Sequence, residues 1–430
     1  MDPTNLPPRS TPHWALYRRE KFVEATRDGQ EPPFSTHPDE LERLAKERLS
    51  ATGWSYASCN AGLGDTHKSN RDAFKDWKIV PRMGVDTNAR DTTTEIFGRK
   101  LSVPIGISPV GLNKIYHPEG ELPVARVAGE LGIPYSLSTA GSVPIEEAAA
   151  HNVQGAAKGI ESQSGATDPN GLRWFQLYIP NDDELCISFL QRAHDSGWEA
   201  AVCTLDTPML AWRHQDVAIG AYAPYKGVTG HEIGLSDKVF QRRLAALGID
   251  PVKDPKAAGR KYIDTVWHGH TFDWERVKWA KEQWHRISGN KPFLVKGVQS
   301  VEDANKSLEI GCQGIVVSNH AGRQVDGAVG SLEVLPEIVD AVGDKLTVCF
   351  DSGVRGASDV FKALALGAKL VMIGRLWIFG LSIGGEQGVR HVLKSLLAEF
   401  DILMNVGGFK SIKDIDRSAL RHKKQLGPRL

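Results

Sequence analysis

The length and composition of the chain narrow the classes of protein to which it can belong. It has 430 residues, of which 43 are Gly and 23 are Pro, too few of either for a collagen-like or low-complexity chain. Its hydrophobic content of 41% and its equal numbers of basic and acidic residues, 52 each, exclude a disordered chain. The neutral balance also argues against a general attraction to nucleic acid or to acidic membranes.

The cysteines and the N-terminal segment predict a cytoplasmic protein. The five cysteines are scattered and form no CxxC pair, which argues against a disulfide framework and against a metal site. The segment MDPTNLPPRSTPHW has no apolar run of the kind that a secretory signal contains. The longest apolar stretch, 364–381, is interrupted by Lys369 and Arg375, so it does not suit a membrane span. We therefore expect no metal, no nucleic-acid partner and no membrane partner.

The first hundred residues differ in pattern from the rest. Residues 1–35 are rich in Pro and polar side chains, which predicts an arm. Over 39–50 the apolar residues, among them Leu41, Ala45 and Leu49, recur at helical spacing. We assign residues 1–100 to an arm and helical extension, 101–400 to the main domain and 401–430 to a tail.

Beyond residue 100 a short apolar strand, a polar loop, an amphipathic helix and a glycine recur in turn. At four junctions, such as ELGIPYSLS and ALGAKLVMIG, the glycine suits the C-terminal cap of the helix. The predicted strands lie at 103–108, 134–138, 173–178, 200–205, 292–296, 314–318, 346–351 and 369–373. Apolar strands of this kind are typical of a parallel sheet covered on both faces, and eight such units predict an α/β fold of the TIM (β/α)8 barrel type. An open doubly wound sheet would need a GxGxxG turn, which the sequence lacks.

One long insertion, at about 214–272, breaks the repeat after the fourth strand. Its part at 221–261 carries Gly, Pro, Tyr and many charges. A structureless loop of this length in a compact domain is usually functional. We expect a lid or a subunit-contact segment beside the active site, and the alternative is a surface insertion with no role.

The chemistry of TIM barrels takes place at the carboxyl ends of the strands, where this chain places polar residues or tight turns. Glycine turns with Arg355 and Arg375, after the last two strands, suit a phosphate monoester. Lys296 ends an apolar strand, so its ammonium needs a counter-charge or a negative ligand.

Four further residues at these strand ends suggest an acid–base site. His320 is a candidate base, Asp206 a candidate orienting anion, and Arg213 and Arg323 are candidate clamps for a carboxylate. Each of these side chains, taken alone, has an ordinary structural interpretation. Their joint occurrence at one face of the barrel favours a functional site.

The segment SNHAGRQ at 318–324 resembles the active-site signature of the FMN-dependent 2-hydroxy acid oxidases and dehydrogenases, the family of glycolate oxidase and lactate oxidase. The resemblance extends from about Tyr56 to the segment after Arg375. It includes the segments WFQLY at 174–178, TLDTP at 204–208, VKG at 295–297, DSGVR at 351–355 and IGR at 373–375.

The resemblance implies a bound FMN and a set of residues around it. Lys296 would lie against the N1/O2 edge of the flavin, where reduced flavin accumulates negative charge. The other implied contacts to the flavin ring and ribityl chain are Pro109, Val110, Gly111, Ser138, Gln176, Thr204 and Ser318. Those implied for the ribityl and phosphate end are Asp351, Ser352, Gly353, Val354, Arg355, Gly374 and Arg375.

The same resemblance implies the roles of the catalytic residues. His320 would remove the proton of the 2-hydroxyl group or the α-proton of the substrate, and Asp206 would stabilise the resulting imidazolium. Arg213 and Arg323 would bind the substrate carboxylate. Hydroxyl groups would come from Tyr56 and Tyr178.

Three features depart from the family pattern. Ala321 stands where the family usually has Gly, so we expect a differently positioned loop after His320. Tyr56 lies in YASCNAG, a degenerate version of the usual Gly-rich stretch. Trp212 precedes Arg213, and we expect its bulky ring to line the pocket.

The insertion, the segment TFDW at 271–274 and Gly111 resemble the lactate 2-monooxygenase branch of the family. The function expected is therefore FMN-dependent oxidation of a small (S)-2-hydroxy acid at C2, with oxidative decarboxylation of the lactate 2-monooxygenase type and with O2 as the acceptor. Three alternatives stay open: a simple oxidase that releases the 2-oxo acid and H2O2, a flavin dehydrogenase for a larger hydroxy acid, and a non-catalytic flavin-binding barrel. Family members are commonly tetramers or octamers, so we expect a homotetramer or a homo-octamer.

Overall fold

Eight short parallel strands form a ring, and helices outside the ring connect each strand to the next. The computed structural model describes residues 5–220, 222, 224–227, 229–267 and 269–425. The strands are β1 (Trp77–Ile79), β2 (Thr94–Ile96), β3 (Arg99–Leu101), β4 (Ile105–Ile107), β5 (Tyr135–Ser138), β6 (Arg173–Leu177), β7 (Ala200–Thr204), β8 (Phe293–Val298), β9 (Gly314–Val317), β10 (Thr347–Phe350), β11 (Leu370–Ile373) and β12 (Leu420–His422). The helices are α1 (Leu16–Asp28), α2 (Pro38–Arg48), α3 (Ala51–Ser58), α4 (Asp65–Asp76), α5 (Leu122–Leu131), α6 (Ile145–Glu161), α7 (Asp183–Asp195), α8 (His214–Ile219), α9 (Glu232–Leu235), α10 (Lys238–Ala246), α11 (Pro255–Val266), α12 (Trp274–Ser288), α13 (Val301–Glu309), α14 (Ser331–Val342), α15 (Ala357–Ala365) and α16 (Arg375–Gly407).

The ring consists of β4 to β11, paired in the order β4-β11-β10-β9-β8-β7-β6-β5. Between β5 and β4 the backbone N–H of Ile107 donates to the carbonyl of Pro134 at 2.8 Å, which closes the ring. The TIM barrel predicted from the sequence is confirmed, as are its eight strands. Strand β8 runs beyond its predicted end to Val298, with a shift of register against β9 after Lys296.

Alternate residues of the strands point into the barrel, because a β-strand has a two-residue period. The apolar ones form a core of their own, which contains Trp174, Val202, Leu294, Val316, Cys349, Leu370 and Met372. The β2–β3 hairpin closes one end of this core, where Phe97 lies against Trp174 with the ring centroids 5.9 Å apart. Side chains fill the barrel at this end, so a ligand must bind at the carboxyl ends of the strands.

The N-terminal segment contains a helix that the sequence did not predict. Helix α1 lies within the stretch 1–35 that the sequence assigns to an arm, a prediction that did not specify a helix. None of its side chains is fully buried. Its sequence therefore lacks the helically spaced apolar residues from which a buried helix face is predicted. The Tyr17 hydroxyl lies 2.7 Å from Nδ1 of His391 on α16, which ties α1 to the barrel. Helix α2 buries Leu41 and Ala45, as predicted.

The insertion after β7 is mainly helical, which corrects the expectation of a structureless loop. Helices α8 to α11 occupy most of it, and Ile233, Phe240 and Tyr262 are buried in the main core. The carboxylate of Asp237 accepts hydrogen bonds from the first backbone N–H groups of α10, and that of Asp254 does the same for α11. An aspartate directly before a helix is a sequence signal for its start. The prediction of a loop considered overall composition and did not use these two signals.

The C-terminal segment returns to the N-terminal extension. Helix α16 runs past residue 400 to Gly407, and β12 then pairs antiparallel with β1. The domain boundaries at residues 100 and 400 stay predictions. Among the helices of the described residues, none is both long and apolar enough to cross a membrane.

Candidate functional site

At the carboxyl end of each barrel strand, an inward-facing position within the strand or directly after it holds a polar residue or a glycine. Side chains of a strand alternate between its two faces, so the residue two positions after an inward-facing one also points into the barrel. This applies to the residues that follow apolar inward residues such as Trp174 and Leu294 by two positions. We call these residues the polar ring; they are Ser108, Ser138, Gln176, Thr204, Lys296, Ser318, Asp351 and Gly374. The polar ring replaces the apolar core at the end of the barrel where TIM-barrel sites lie.

A cavity of about 930 Å³, counted to its open mouth, adjoins the polar ring. Most of the predicted site residues line it, namely Tyr56, Pro109, Val110, Gly111, Ser138, Tyr178, Lys296, His320, Arg323, Asp351, Ser352, Gly353, Val354, Arg355, Gly374 and Arg375. The predicted residues outside this lining are Gln176, Thr204, Asp206, Arg213 and Ser318. The structure therefore brings residues from the carboxyl ends of every barrel strand except β7, and from the N-terminal extension, to one cavity.

The ammonium of Lys296 is buried between two carboxylates of this site. Its Nζ lies 3.5 Å from Asp351 Oδ2 and 3.8 Å from Asp206 Oδ2, and it donates to the Ser318 hydroxyl at 2.9 Å. Burial alone would lower the pKa of Lys296, but the two carboxylates outweigh it and raise that pKa. The ammonium therefore stays charged at the cavity wall.

His320 stands at the cavity wall with its ring oriented by Asp206. Nδ1 of His320 lies 2.7 Å from Asp206 Oδ1, so this carboxylate places the ring proton on Nδ1 and leaves a lone pair on Nε2. The Thr207 hydroxyl donates to the same oxygen at 2.6 Å. Burial lowers the pKa of His320, Asp206 opposes this, and Lys296 and Arg323 lower it further, with a net decrease. His320 is thus a neutral imidazole that can accept a proton.

Asp206 itself is held ionised. Burial alone would raise its pKa, but His320 and Lys296, together with the hydrogen bonds that it accepts from His320 and Thr207, bring that pKa well below its usual range. An ionised carboxylate beside a neutral imidazole is ready to stabilise the imidazolium when the ring takes up a proton.

The turn that carries His320 has a left-handed backbone at three consecutive residues. The φ angle is 56° at His320, 59° at Ala321 and 77° at Gly322. The departure from the family pattern at Ala321 thus falls where a residue with a Cβ atom is disfavoured. The N–H of Ala321 donates to the Ser352 hydroxyl at 3.0 Å, and that of Gly322 donates to the Asn319 side chain at 3.1 Å. These bonds hold the turn in its strained conformation.

The two predicted carboxylate clamps occupy different places. Arg323 lines the cavity, lies 4.9 Å from the centre of the Tyr56 ring, and donates to the carbonyls of Tyr56 at 2.8 Å and Cys59 at 3.0 Å. Arg213 is buried behind it and donates to the Arg323 carbonyl at 3.2 Å and to Gln324 Oε1 at 3.0 Å. Nη1 of Arg213 has no hydrogen-bond partner among the described residues.

Arg355 and Arg375 form a second positive region of the cavity. Burial, with Arg71 next, lowers the pKa of Arg355 to about 10, and burial, Arg355 and Arg323 lower that of Arg375 to about 9. Glu42 Oε2 lies 3.8 Å from Arg355, too far for a hydrogen bond. Two buried guanidinium groups in this state favour an anion with several acceptor oxygens, such as a phosphate.

Tyr56 and Tyr178 both line the cavity. Tyr56 belongs to α3 in the N-terminal extension, where the Ser50 side chain caps the helix by accepting from the N–H of Gly53. Tyr178 follows β6. Burial raises the pKa of both tyrosines, so both stay protonated and can donate a hydrogen bond.

Two buried groups of the polar ring lack partners. Nε2 of Gln176 and Oγ1 of Thr204 have no hydrogen-bond partner within the described part of the chain. Oε1 of Gln176, by contrast, accepts from the Ser138 hydroxyl and from the N–H of Thr139, both at 3.1 Å. Because buried polar groups are normally paired, these two sites call for a ligand with polar atoms at the polar ring. Together with the arginine pair, they fit the FMN that the resemblance implies.

Trp212 does not line the cavity, and that expectation is wrong. Its side chain is 65% exposed, and its Nε1 lies 3.3 Å from Nδ1 of His214. The backbone carbonyl of Trp212 accepts a hydrogen bond from the N–H of Gly62, so this residue contacts the N-terminal extension through its backbone. Sequence proximity to Arg213 gave no information on the direction of this side chain, because neighbouring residues of a loop can face opposite ways.

The cavity also contains lining residues that the sequence analysis missed, namely Ala57, His67, Tyr116, Ala140, Trp267, Met372 and Ile378. His67 lies on α4, and burial, then Arg375 and Arg355, lower its pKa to about 3. Trp267 directly follows α11 of the insertion. No motif marks either residue. Both come from segments outside the barrel repeat, so the expectation that functional residues follow the barrel strands could not identify them.

The chain is similar to known proteins both in sequence and in structure. A family model described as FMN-dependent dehydrogenase matches residues 45–422. The chain is 40% identical over 409 residues to an FMN-dependent alpha-hydroxy acid dehydrogenase of Penicillium citrinum, covering 95% of this chain and 96% of that protein. It is 36% identical to an L-lactate oxidase of Lysinibacillus sphaericus, covering 89% of this chain and 92% of that protein.

A solved structure of mandelate oxidase resembles the whole fold. It superimposes with a TM-score of 0.73 at 32% sequence identity, and the match covers 90% of this chain and 98% of that chain. The chain therefore belongs to the FMN-dependent dehydrogenase family, and its cofactor is FMN.

Proposed function

We propose that the chain oxidises a 2-hydroxy acid at C2 to the corresponding 2-oxo acid, with O2 as the final electron acceptor. The observation that carries this proposal is the imidazole of His320, oriented by Asp206, in the same cavity as the guanidinium of Arg323. The relatives support it, since one is named an alpha-hydroxy acid dehydrogenase and another an L-lactate oxidase.

His320 is the base in this proposal. Its Nε2 accepts a proton from the 2-hydroxyl group or from C2 of the substrate, and the imidazolium that forms is paired with Asp206 across 2.7 Å. Arg323 supplies a positive charge for the substrate carboxylate, and Arg213 adds to the field from behind it. Tyr56 and Tyr178 supply hydroxyl donors to the bound acid.

FMN, when bound, supplies the ring that takes up two electrons. For this cofactor the chain offers Lys296 as a buried positive charge and Gln176 and Thr204 as unpaired polar groups. Arg355 and Arg375 are the groups for its phosphate. The negative phosphate and the substrate carboxylate thus each have their own arginines in the cavity.

Replacing Arg355 with Lys tests the phosphate end. The variant Arg355→Lys should bind FMN about 10- to 100-fold more weakly, because lysine cannot form the paired hydrogen bonds of a guanidinium with phosphate. Its affinity for riboflavin, which has no phosphate, should equal that of the wild type. Quenching of flavin fluorescence by the apoprotein measures both affinities, with Arg43→Lys at an exposed ion pair as the matched control. Equal weakening for both flavins would contradict the assignment.

Replacing His320 with Ala tests the function itself. We expect the purified wild type to be yellow and to lose its visible absorbance when lactate, glycolate or mandelate is added without oxygen. His320→Ala should remain yellow, and its rate of bleaching should fall by about 10²- to 10⁴-fold, the usual contribution of a positioned base. Stopped-flow absorbance measures the rate.

The control for this experiment is His214→Ala, an exposed histidine on α8. It should bleach at the wild-type rate. Rapid bleaching of His320→Ala would remove His320 from the role of base, and a wild type that no 2-hydroxy acid bleaches would favour the non-catalytic flavin-binding barrel.

A second candidate function is oxidative decarboxylation of the lactate 2-monooxygenase type. It is favoured by the insertion, which covers part of the cavity: Trp267 lines the wall, and the ring of Tyr222 lies 6.4 Å from that of Tyr56. A covered cavity can retain the 2-oxo acid together with peroxide, and their reaction gives the acid shortened by one carbon, CO2 and water.

Product analysis separates this candidate from a simple oxidase. With lactate and O2, we expect the decarboxylating enzyme to give acetate and CO2 in a one-to-one ratio and no free H2O2. Pyruvate and H2O2 in equal amounts would indicate a simple oxidase instead. Bleaching without any consumption of O2 would indicate a dehydrogenase with another acceptor.

Two further properties stay predictions. The first is a location in the cytoplasm. The second is assembly into a homotetramer or a homo-octamer, in which the insertion would serve as the subunit-contact segment; analytical ultracentrifugation of the purified protein measures it.

A further inference from the structure

Trp267 is the residue through which the insertion reaches the cavity. It follows the last residue of α11, and its backbone N–H donates to the Ile263 carbonyl at 2.7 Å. Its indole ring packs on Tyr178 with centroids 5.0 Å apart and planes at 56°. Tyr178 lies near Asp206 and Tyr56, so Trp267 adjoins the end of the cavity that we assign to the substrate.

The barrel fixes the position of Trp267 on two sides. The hydroxyl of Tyr262, a buried residue of α11, donates to the Thr139 carbonyl in the loop after β5 at 2.7 Å. The N–H of Asn181, in the loop after β6, donates to the Thr265 carbonyl of the same helix at 3.0 Å. Trp267 is therefore part of a wall that is attached to two strand ends.

The indole N–H of Trp267 is a buried donor without a partner. Nε1 is inaccessible to solvent and has no hydrogen-bond partner among the described residues. Gly111 and Ala140, which pack against each other, line the same cavity without bringing a bulky side chain into it. A buried donor that is unpaired in the free protein is satisfied when a ligand brings an acceptor to it.

We propose that Trp267 determines specificity for the substituent at C2 of the substrate, and that the preferred substituent is an aromatic ring that carries an oxygen acceptor for the indole N–H. This inference rests on the proposed function, because the substituent is defined relative to the 2-hydroxy acid group. The aromatic ring is favoured by the walls of Tyr178 and Trp267, whose rings can pack against it. The acceptor is favoured by the unpaired Nε1. A methyl group, as in lactate, satisfies neither.

Binding of unreactive 2-oxo acids to the FMN-loaded protein tests this inference apart from turnover. The probes are pyruvate, phenylglyoxylate and its three ring-hydroxylated isomers, and isothermal titration gives their Kd values. In the wild type, at least one hydroxylated isomer should bind about 10-fold more tightly than phenylglyoxylate, and phenylglyoxylate should bind more tightly than pyruvate. If none of the three isomers binds the wild type more tightly than phenylglyoxylate does, this result alone contradicts the proposed role of Trp267.

The variant Trp267→Phe keeps an aromatic ring and removes the N–H. It should lose about 10-fold in affinity for the favoured isomer and bind phenylglyoxylate and pyruvate as the wild type does. Trp274→Phe, a nearby tryptophan outside the cavity lining, is the matched control and should change none of these values. Unchanged binding of the favoured isomer by Trp267→Phe, or equal loss for all probes, would contradict the inference.

The bleaching experiment keeps the two proposals separate. If no 2-hydroxy acid bleaches the wild type, the proposed function fails. If 2-hydroxy acids bleach it but the ring-hydroxylated probes show no preference, only the role of Trp267 fails.

Discussion

The site depends on one buried ammonium group. Lys296 lies between Asp351 and Asp206 at the carboxyl end of β8, and without it two carboxylates would face each other in a region closed to solvent. Removing one partner from such a buried group of charges typically costs about 3–5 kcal/mol. Because Lys296 helps to keep Asp206 ionised, it also preserves the orientation of His320. The charge of one lysine thus contributes both to the field at the polar ring and to the state of the base.

The other buried positive charges of the cavity are three arginines, Arg355, Arg375 and Arg323. Arg323 and Arg375 lie close together, because both donate to the Cys59 carbonyl. The N-terminal extension contacts both of these arginines, since carbonyls of α3 also accept hydrogen bonds from them. The barrel alone would lack this wall, so the extension is part of the site rather than an appendage.

The sequence predicted the barrel because its strands are short, apolar and regularly followed by glycine-capped helices. It predicted the polar ring because the carboxyl ends of parallel strands must meet at one face. It failed where neither rule applies. Helix α1 buries no side chain completely, and α8 to α11 lie in an interval whose composition suggested a loop. Two tryptophans show the same limit of prediction from sequence. Trp212 was expected in the cavity because it precedes Arg213, but it is exposed, whereas Trp267 lines the cavity only because of tertiary contacts.

The most direct test of this account is the reduction potential of the bound FMN in the wild type and in Lys296→Met, with Lys296→Arg as the variant that keeps the charge. A buried positive charge at the polar ring stabilises the reduced, more negative flavin. The potential should therefore be more negative in Lys296→Met than in the wild type, and Lys296→Arg should remain close to the wild type. Equal potentials in all three proteins would contradict the placement of the flavin at the polar ring.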